Sequence, residues 1–572
     1  MERDKKIILE MLDSKMWKTM TKEISMRISK HTVMSENLRK EGNEMFKSNS
    51  HNALLHEQAW KMYTMSIAVA EKNTEGLAMA YGNRSALLFH IGKFEACMKD
   101  IDRALEISKS NLFKIKLLCR KMECMHTLNL PDIDQVIDKA ELLLDGVSED
   151  SIKNVHSNLL NKTKLKLKKP STLKISNDRK LETLENINKR HKINDFSSVK
   201  IGYCERHGRQ LIATRDFAPG EVVYVEKPYT MFLNIKKLHA YCSHCFSTKW
   251  ANIPCDHCSW TLFCSEECKV EAWNQYHDIE CSVYGYSKKD DYNDTAKQLA
   301  IRLFIMALKE AGSLENLRAE LEAFDKIHDH SKGFVENGVI KSQGFKSIYN
   351  LMDQVSQGSL QDRLHDTAMV LRSIAWNTTL FGENFNHRSS TAFKNNENVL
   401  FVGTLILKLS KVSQLNKHQM WNGNYVCANK LDRLSCWENE CCTRGVYIAP
   451  ITSLLNHSCD PNVRRCFTED KTVVLYAIHP IKKGSQTKPN VHMRKEEQDL
   501  ALKYRELVPS TLKPDTVYSE KDIAFLGEGI QKGLETLSKP AFTTVNLIIC
   551  LNTIFERLCG IWLIVPSSCQ KS

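Results

Sequence analysis

Between Cys242 and Cys281 the chain sets eight residues of metal-ligand type at ligand spacing. They fall as four pairs: Cys242 and Cys245, Cys255 and Cys258, Cys264 and Cys268, and His277 and Cys281. Four such pairs are enough for two tetrahedral zinc sites of thiolate and imidazole. The competing reading, a buried or disulfide-linked cluster, fits poorly because the segment has few apolar side chains with which to build a core. Metal must then supply much of its folding energy. His244 and His257 sit inside the first two pairs, where no further ligand is needed. Trp273 and Tyr276, beside His277, read as packing residues.

A second constellation lies in two pieces. Gly208-Arg209-Gln210 opens an extended stretch that runs to Thr214. Far downstream, Asn456-His457-Ser458-Cys459-Asp460-Pro461-Asn462 follows the apolar run Ile451 to Leu455. Taken alone, the heptapeptide is a turn in which Asn, Ser and Asp bond their own backbone and Pro fixes one dihedral.

The elements that must position these groups follow from length and patterning. At 572 residues the chain exceeds one core, and about three or four domains are expected. Hydrophobic content of 42% and charged content of 26% are those of a soluble globular protein. With eight of the 20 cysteines placed for metal, the pattern indicates a reducing compartment. The first residues lack a signal peptide's apolar run. The most apolar stretch, 545–565, is broken by Asn552, Glu556 and Arg557, so a buried helix is expected there rather than a membrane span.

Helical periodicity begins near residue 36 and repeats. Gly42, Ala59 and Tyr63, then Asn83, Ala86, Gly92 and Ala104, fall near the small and aromatic positions of a tetratricopeptide repeat, a helical hairpin whose small residues allow close packing. A third unit is expected near Leu112. Lys162, Lys164, Lys166, Lys168 and Lys169 precede Pro170. This run reads either as a solvated linker or as a nuclear-localisation or nucleic-acid patch. Beyond Lys200 strand signals appear, with 208–214 and 221–225 read as a hairpin about Phe217 to Gly220. Residues 292 to about 435 are helical, and a strand returns over 472–478.

The order of the metal pairs resembles the MYND finger, in which pairs interleave. That resemblance assigns Cys242, Cys245, Cys264 and Cys268 to one zinc, and Cys255, Cys258, His277 and Cys281 to the other. Together with the Gly-Arg-Gln segment and the heptapeptide, the finger resembles the SET- and MYND-domain lysine methyltransferases. The repeats point to the branch bearing tetratricopeptide repeats. The implied fold is α+β and multidomain: helical repeats over 36–145, a basic linker over 146–199, a first SET part over 200–241, the finger over 242–281, a helical insertion over 282–435, a second SET part over 436–505 and C-terminal helices over 506–572.

The resemblance implies methyl transfer from S-adenosylmethionine to a protein lysine, in cytoplasm and nucleus, by a monomer. Gly208, Arg209 and Gln210 would lie along the cofactor through backbone groups. Asn456 and His457 would contact its adenine and amino-acid parts, and Asn416, in Gln414-Leu415-Asn416, would add a contact from the end of the insertion. The pattern then breaks. After Ile481-Lys482-Lys483-Gly484 the expected strand ending in a catalytic tyrosine is missing, and Pro489 could not join a central strand. The cysteine triplet that would take a third zinc with Cys459 is also missing. Weak or absent turnover is therefore expected, with a silent scaffold as the competing reading. By analogy the finger would bind proline-rich or transcriptional partners. The repeats carry Arg39, Asn43, Asn83, Lys116 and Arg120, which match a carboxylate clamp for a chaperone C-terminal tail, with pairs four residues apart on one helix face. Direct DNA binding rests on the lysine run alone.

Overall fold

The computed structural model describes residues 2–19, 30–48, 53–168, 198–205, 208–283, 295–342, 344–355, 357–421, 443–456, 462–468 and 470–484. His457, the break after Gly484 and the helices expected over 506–572 lie outside these residues. Helices α1 (Glu2–Asp13) and α2 (Lys15–Thr19) come first. Then come α3 (Thr32–Ser48), α4 (Ala53–Val69), α5 (Glu75–His90), α6 (Phe94–Ile107), α7 (Asn111–Thr127), α8 (Ile133–Asp145) and α9 (Asp150–Leu167). Strands β1 (Val199–Cys204), β2 (Gly208–Ala213), β3 (Val222–Glu226) and β4 (Thr230–Leu233) lead into the cysteine-rich module. That module holds β5 (Ile253–Pro254), β6 (Leu262–Phe263), α10 (Glu266–Ala272) and α11 (Asp278–Val283). The insertion holds α12 (Thr295–Ala311), α13 (Leu314–Asp325), the small hairpin β7 (Val335–Glu336) and β8 (Val339–Ile340), α14 (Phe345–Tyr349), α15 (Gln357–Asn377), α16 (Ser390–Asn395) and α17 (Glu397–Asn416). Strands β9 (His418–Trp421), β10 (Thr443–Ile448), β11 (Val463–Phe467) and β12 (Val473–Ala477) follow. No helix among the described residues is long and apolar enough to cross a membrane.

These elements form two compact units. One takes the described residues within 23–179 and 235–292, so the helical hairpins and the cysteine-rich module share it. Helices α3 and α4, α5 and α6, and α7 and α8 pack as successive pairs. Close approach explains the glycine at position 42: a Cβ there would stand 2.7 Å from the Tyr63 ring. Thr74 and Ser110 cap α5 and α7 by accepting from the backbone N–H of Leu77 and Phe113. The core is Ile67, Leu77, Ala80, Tyr81, Leu88, Ile101 and Leu117.

The segment expected to open a linker at 146 instead folds as α9, which packs on α7 with Leu160 buried beside Ile115 and Leu118. The lysine run hid this helix. Lys164 pairs with Glu141 and Lys166 with Glu123, so part of the run belongs to a helix surface.

The other unit takes the described residues within 1–22, 180–234 and 293–572. Among the described residues its sheets are antiparallel: β1-β2, β4-β10-β9, β11-β12-β3 and the small hairpin β7-β8. Strands on either side of the cysteine-rich module and insertion pair directly, Glu226 opposite Val473 and Leu233 opposite Gly445. This pairing corrects the expected hairpin. β2 pairs with β1, β3 pairs with β12, and Phe217 bridges to Ile481 through bonds of 2.8 and 2.9 Å. Alternating apolarity marks a strand and its buried face, but the partner is a non-local choice. The helices α1 and α2 were not anticipated. α1 packs on α17, where Ile8 lies against Gly403, and the Arg372 guanidinium stands 3.8 Å over the buried Trp17 ring.

Candidate functional sites

The cysteine-rich module brings its ligand atoms into two groups: Cys242, Cys245, Cys264 and Cys268, and Cys255, Cys258, His277 and Cys281. Within each group all four atoms lie within 4.8 Å of one another. The Sγ atoms of Cys245 and Cys264 are 3.6 Å apart, those of Cys264 and Cys268 3.4 Å, and those of Cys255 and Cys281 3.9 Å. Cys258 Sγ is 3.5 Å from His277 Nε2. Donors about 2.3 Å from a tetrahedral zinc stand roughly 3.8 Å apart, whereas a disulfide would draw two sulfurs to about 2.05 Å. The donor sets therefore fit zinc. Ser265 caps α10 by accepting from Cys268 N, which fixes one ligand on the first turn of that helix. His277 Nδ1 lies 3.3 Å from Glu280 Oε2, both side chains at 1% exposure. That contact orients the ring and leaves Nε2 for the ion. The sequence reading missed Glu280, although its place three residues after His277 on a helical stretch was a usable signal. His244 is engaged elsewhere, with Nδ1 3.0 Å from the Tyr276 hydroxyl.

In this unit the repeat helices grip the module through three consecutive carbonyls. Trp60 Nε1 donates to Trp250 O at 3.0 Å, Arg103 Nη1 to Ala251 O at 2.7 Å and Arg84 Nη2 to Asn252 O at 2.8 Å. Of the five clamp residues, two bond each other: Asn83 Nδ2 donates to Asn43 Oδ1 at 2.7 Å, and Tyr63 Oη donates to the same oxygen at 2.9 Å. Arg120 donates to Gly82 O at 3.0 Å and to Ser85 Oγ at 2.6 Å, and burial lowers its pKa. Arg39 lines a small cavity with Thr32, Glu36 and Glu71. Lys116 is exposed.

Of the second constellation, β2 and Asn456 lie near one turn, Thr452–Leu454, in the other unit. β2 packs against this turn. Gly208 starts β2 at φ +66°, a conformation that glycine adopts without strain. The edge of β2 away from β1 has no strand partner among the described residues, although Ala213 O at its end accepts from Gly484 N at 2.9 Å. The Gln210 side chain is 9% exposed, and its Oε1 is buried without a hydrogen-bond partner among the described residues. Arg209 is held elsewhere. Its guanidinium donates to Asn350 O and lies 5.2 Å over the Phe334 ring, and burial lowers its pKa.

Asn416, at the end of α17, reaches the same turn through its backbone carbonyl, which accepts from Ser453 Oγ at 3.3 Å. Its side chain is buried rather than solvent-facing, with Nδ2 donating to Met352 O and Val412 O at 2.8 Å each. Asn456 follows two residues after the turn and is exposed.

The turn is fixed from below by Glu226, which the sequence reading missed. Its carboxylate accepts from Ile451 N at 2.9 Å, Thr452 N at 2.8 Å and Thr452 Oγ1 at 2.9 Å. Burial outweighs these bonds and raises its pKa to about 7. No local pattern marks Glu226, because its partners lie more than two hundred residues away.

Gln210 Oε1 is an orphaned buried acceptor. An acceptor so placed suits a polar ligand that brings a hydrogen-bond donor. The SET domain family model matches residues 208–486, a span that contains all of these groups. The chain also resembles protein-lysine N-methyltransferase SMYD4 of Homo sapiens, with 30% identity over 225 residues, 37% of this chain and 27% of that one. The Pongo abelii protein of the same name is 30% identical over 240 residues, 39% of this chain and 29% of its own. That of Gallus gallus is 25% identical over 258 residues, 40% and 34% respectively.

Residues 208–486 thus match the SET domain family, and the chain is similar to the protein-lysine N-methyltransferases named SMYD4. It spans 29% and 27% of the length of the first two of those relatives. Its SET domain is built from chain segments on both sides of the cysteine-rich module, joined by the pairing of β3 with β12 and of β4 with β10.

Proposed function

We propose that this chain is a protein-lysine N-methyltransferase that binds S-adenosylmethionine at the turn Thr452–Leu454, on histone or non-histone substrates. The observation that carries this reading is the meeting of β2, Asn416 and the segment leading to Asn456 at that turn. When bound, the cofactor supplies an activated methyl group. Gly208 and Gln210 would hold it through the strand edge and the orphaned Oε1. Asn416 and Asn456 would contact it from the turn, with His457 beside Asn456. The protein's own task is alignment of the lysine nitrogen and exclusion of water, and positioning of this kind is worth roughly 7–11 kcal/mol of barrier.

The sequence after Gly484 lacks the tyrosine segment and the cysteine triplet of the family pattern, so turnover is low while cofactor affinity is largely kept. Purified protein with labelled cofactor and a lysine-rich protein substrate tests this. Cofactor binding with slow transfer supports it, and transfer at rates typical of intact SET enzymes refutes the impairment. Absence of cofactor binding refutes the enzyme reading.

A second reading is a scaffold without catalysis, favoured by the three-carbonyl grip of the repeat helices on the module. The tetratricopeptide-like hairpins would take a chaperone tail through Arg39, Asn43, Asn83, Lys116 and Arg120. The MYND-like module, with two zinc ions, would take a proline-rich or transcriptional partner. Titration with a peptide ending in Glu-Glu-Val-Asp, against its amidated form, decides the clamp, because equal affinity for the two removes it. Residence in cytoplasm and nucleus is part of both readings.

A further inference from the structure

His418 begins β9, two residues after Asn416, and joins two other segments of the SET unit. Its Nδ1 lies 2.9 Å from Arg465 Nη1 and its Nε2 3.2 Å from Ser453 Oγ. A guanidinium only donates, so Nδ1 accepts and the proton of the neutral ring sits on Nε2, donating to Ser453. The Ser453 hydroxyl proton then goes to Ala449 O at 2.9 Å or to Asn416 O at 3.3 Å. The result is a directed chain of bonds from β11, which follows the heptapeptide, through the imidazole, to the turn that precedes it and the end of α17. The Tyr447 ring packs beside the imidazole at 5.3 Å between centroids. Burial, with the charge of Arg465, lowers the pKa of His418 to about 3, so the ring stays neutral and the donor order is fixed.

We propose that His418 is a positioning residue for the methyl-donor site: it locks Asn416, the turn Thr452–Leu454 and β11 into one register before any ligand arrives. The proposal rests on the S-adenosylmethionine reading above for its consequence, but not for the brace itself. An imidazole in this role offers one acceptor and one donor on a short rigid frame. A glutamine amide offers the same pair, whereas phenylalanine fills the space and offers neither.

The test compares His418→Gln and His418→Phe with the parent chain. Thermal unfolding first establishes that both variants fold. Hydrogen exchange over peptides covering 449–456 and 462–467 reads the brace. The parent and the Gln variant are expected to protect these peptides alike, and the Phe variant to exchange them roughly tenfold faster, as the loss of one or two net hydrogen bonds implies. Calorimetric titration with S-adenosylmethionine reads the consequence: roughly tenfold weaker binding for the Phe variant and near-parental binding for the Gln variant. Equal protection and equal affinity in the Phe variant overturn the proposal. So does loss of both in the Gln variant as well as the Phe variant, since volume rather than hydrogen bonding would then matter. If the parent chain binds no S-adenosylmethionine, the methyl-donor reading falls, while the exchange arm still decides whether His418 braces the turn.

Discussion

Arg84 and Asp100 face each other at 0% exposure through bonds of 2.7 and 2.8 Å, and the same guanidinium donates to the carbonyl of Asn252 in the cysteine-rich module. Arg103 adds a second cation to Asp100 at 3.1 Å and bonds Ala251 O. The repeat helices and the module thus share a buried ionic junction. Removing one partner of such a pair leaves an uncompensated charge away from water. Asp100→Ala is expected to destabilise this unit by about 3–5 kcal/mol. Denaturant unfolding checks the loss, and the zinc content of the folded fraction should fall with it. Stability unchanged within about 0.5 kcal/mol would show that the junction contributes nothing.

Metal removal should act separately at the two donor sets. Cys245→Ser is expected to leave one zinc per chain in the set containing His277, and Cys258→Ser to leave one in the other set. Elemental analysis of purified variants reads the stoichiometry. A structural zinc carries an apparent binding energy of about 10–16 kcal/mol in small domains, so chelation should also lower the melting temperature of the repeat helices, which hold the module's backbone at Trp250, Ala251 and Asn252. Melting of the repeats that ignores chelator would disconnect the two.

Glu226 predicts a pH dependence. Its pKa is raised from 4.5 to about 7, with burial as the leading cause. The folded state therefore favours the protonated acid. The stability this contributes is complete below pH 4.5 and is lost as pH rises through about 7. Complete loss amounts to about 3 kcal/mol. Glu226→Gln removes the titration, so the difference in unfolding free energy between parent and variant should change across that window and stay flat above it. A difference that is constant from pH 4.5 to 8 would mean that Glu226 titrates alike in the folded and unfolded chain.

Gly82 predicts a packing defect. A Cβ at this position would stand 2.4 Å from Phe113 Cζ, so α5 and α7 must separate or the ring must turn. Gly82→Ala is expected to destabilise the repeats by about 1–3 kcal/mol despite its better helix propensity. Thermal unfolding of the variant measures the sign, and a stabilised variant would show that the ring gives way freely.

Local spacing accounts for what could be read in advance. The eight donor residues were legible because each pair lies within one short turn, whereas their interleaving came from the resemblance to the MYND finger, with which the grouping of Cys242 with Cys264 and of Cys255 with His277 agrees. Helices α3 to α7 were legible from periodicity and from small residues such as Gly42 set against Tyr63. The lysine run misled at α9, because charge masks a helix whose buried residues are few: His156, Leu160 and Thr163. The strand pattern at 208–214 and 221–225 named the strands and misassigned their partners.

The sequence by itself determined the candidate metal-donor pairs, the helical hairpins and the two motif segments, since each depends on neighbours a few residues apart. Only the tertiary structure decided that β3 joins β12, that Glu226 holds Thr452 and that His418 ties Arg465 to Ser453. Those bonds span from tens to hundreds of residues. They form because burial leaves a carboxylate or an imidazole no water to bond, and the partner that replaces water is chosen by packing rather than by sequence order.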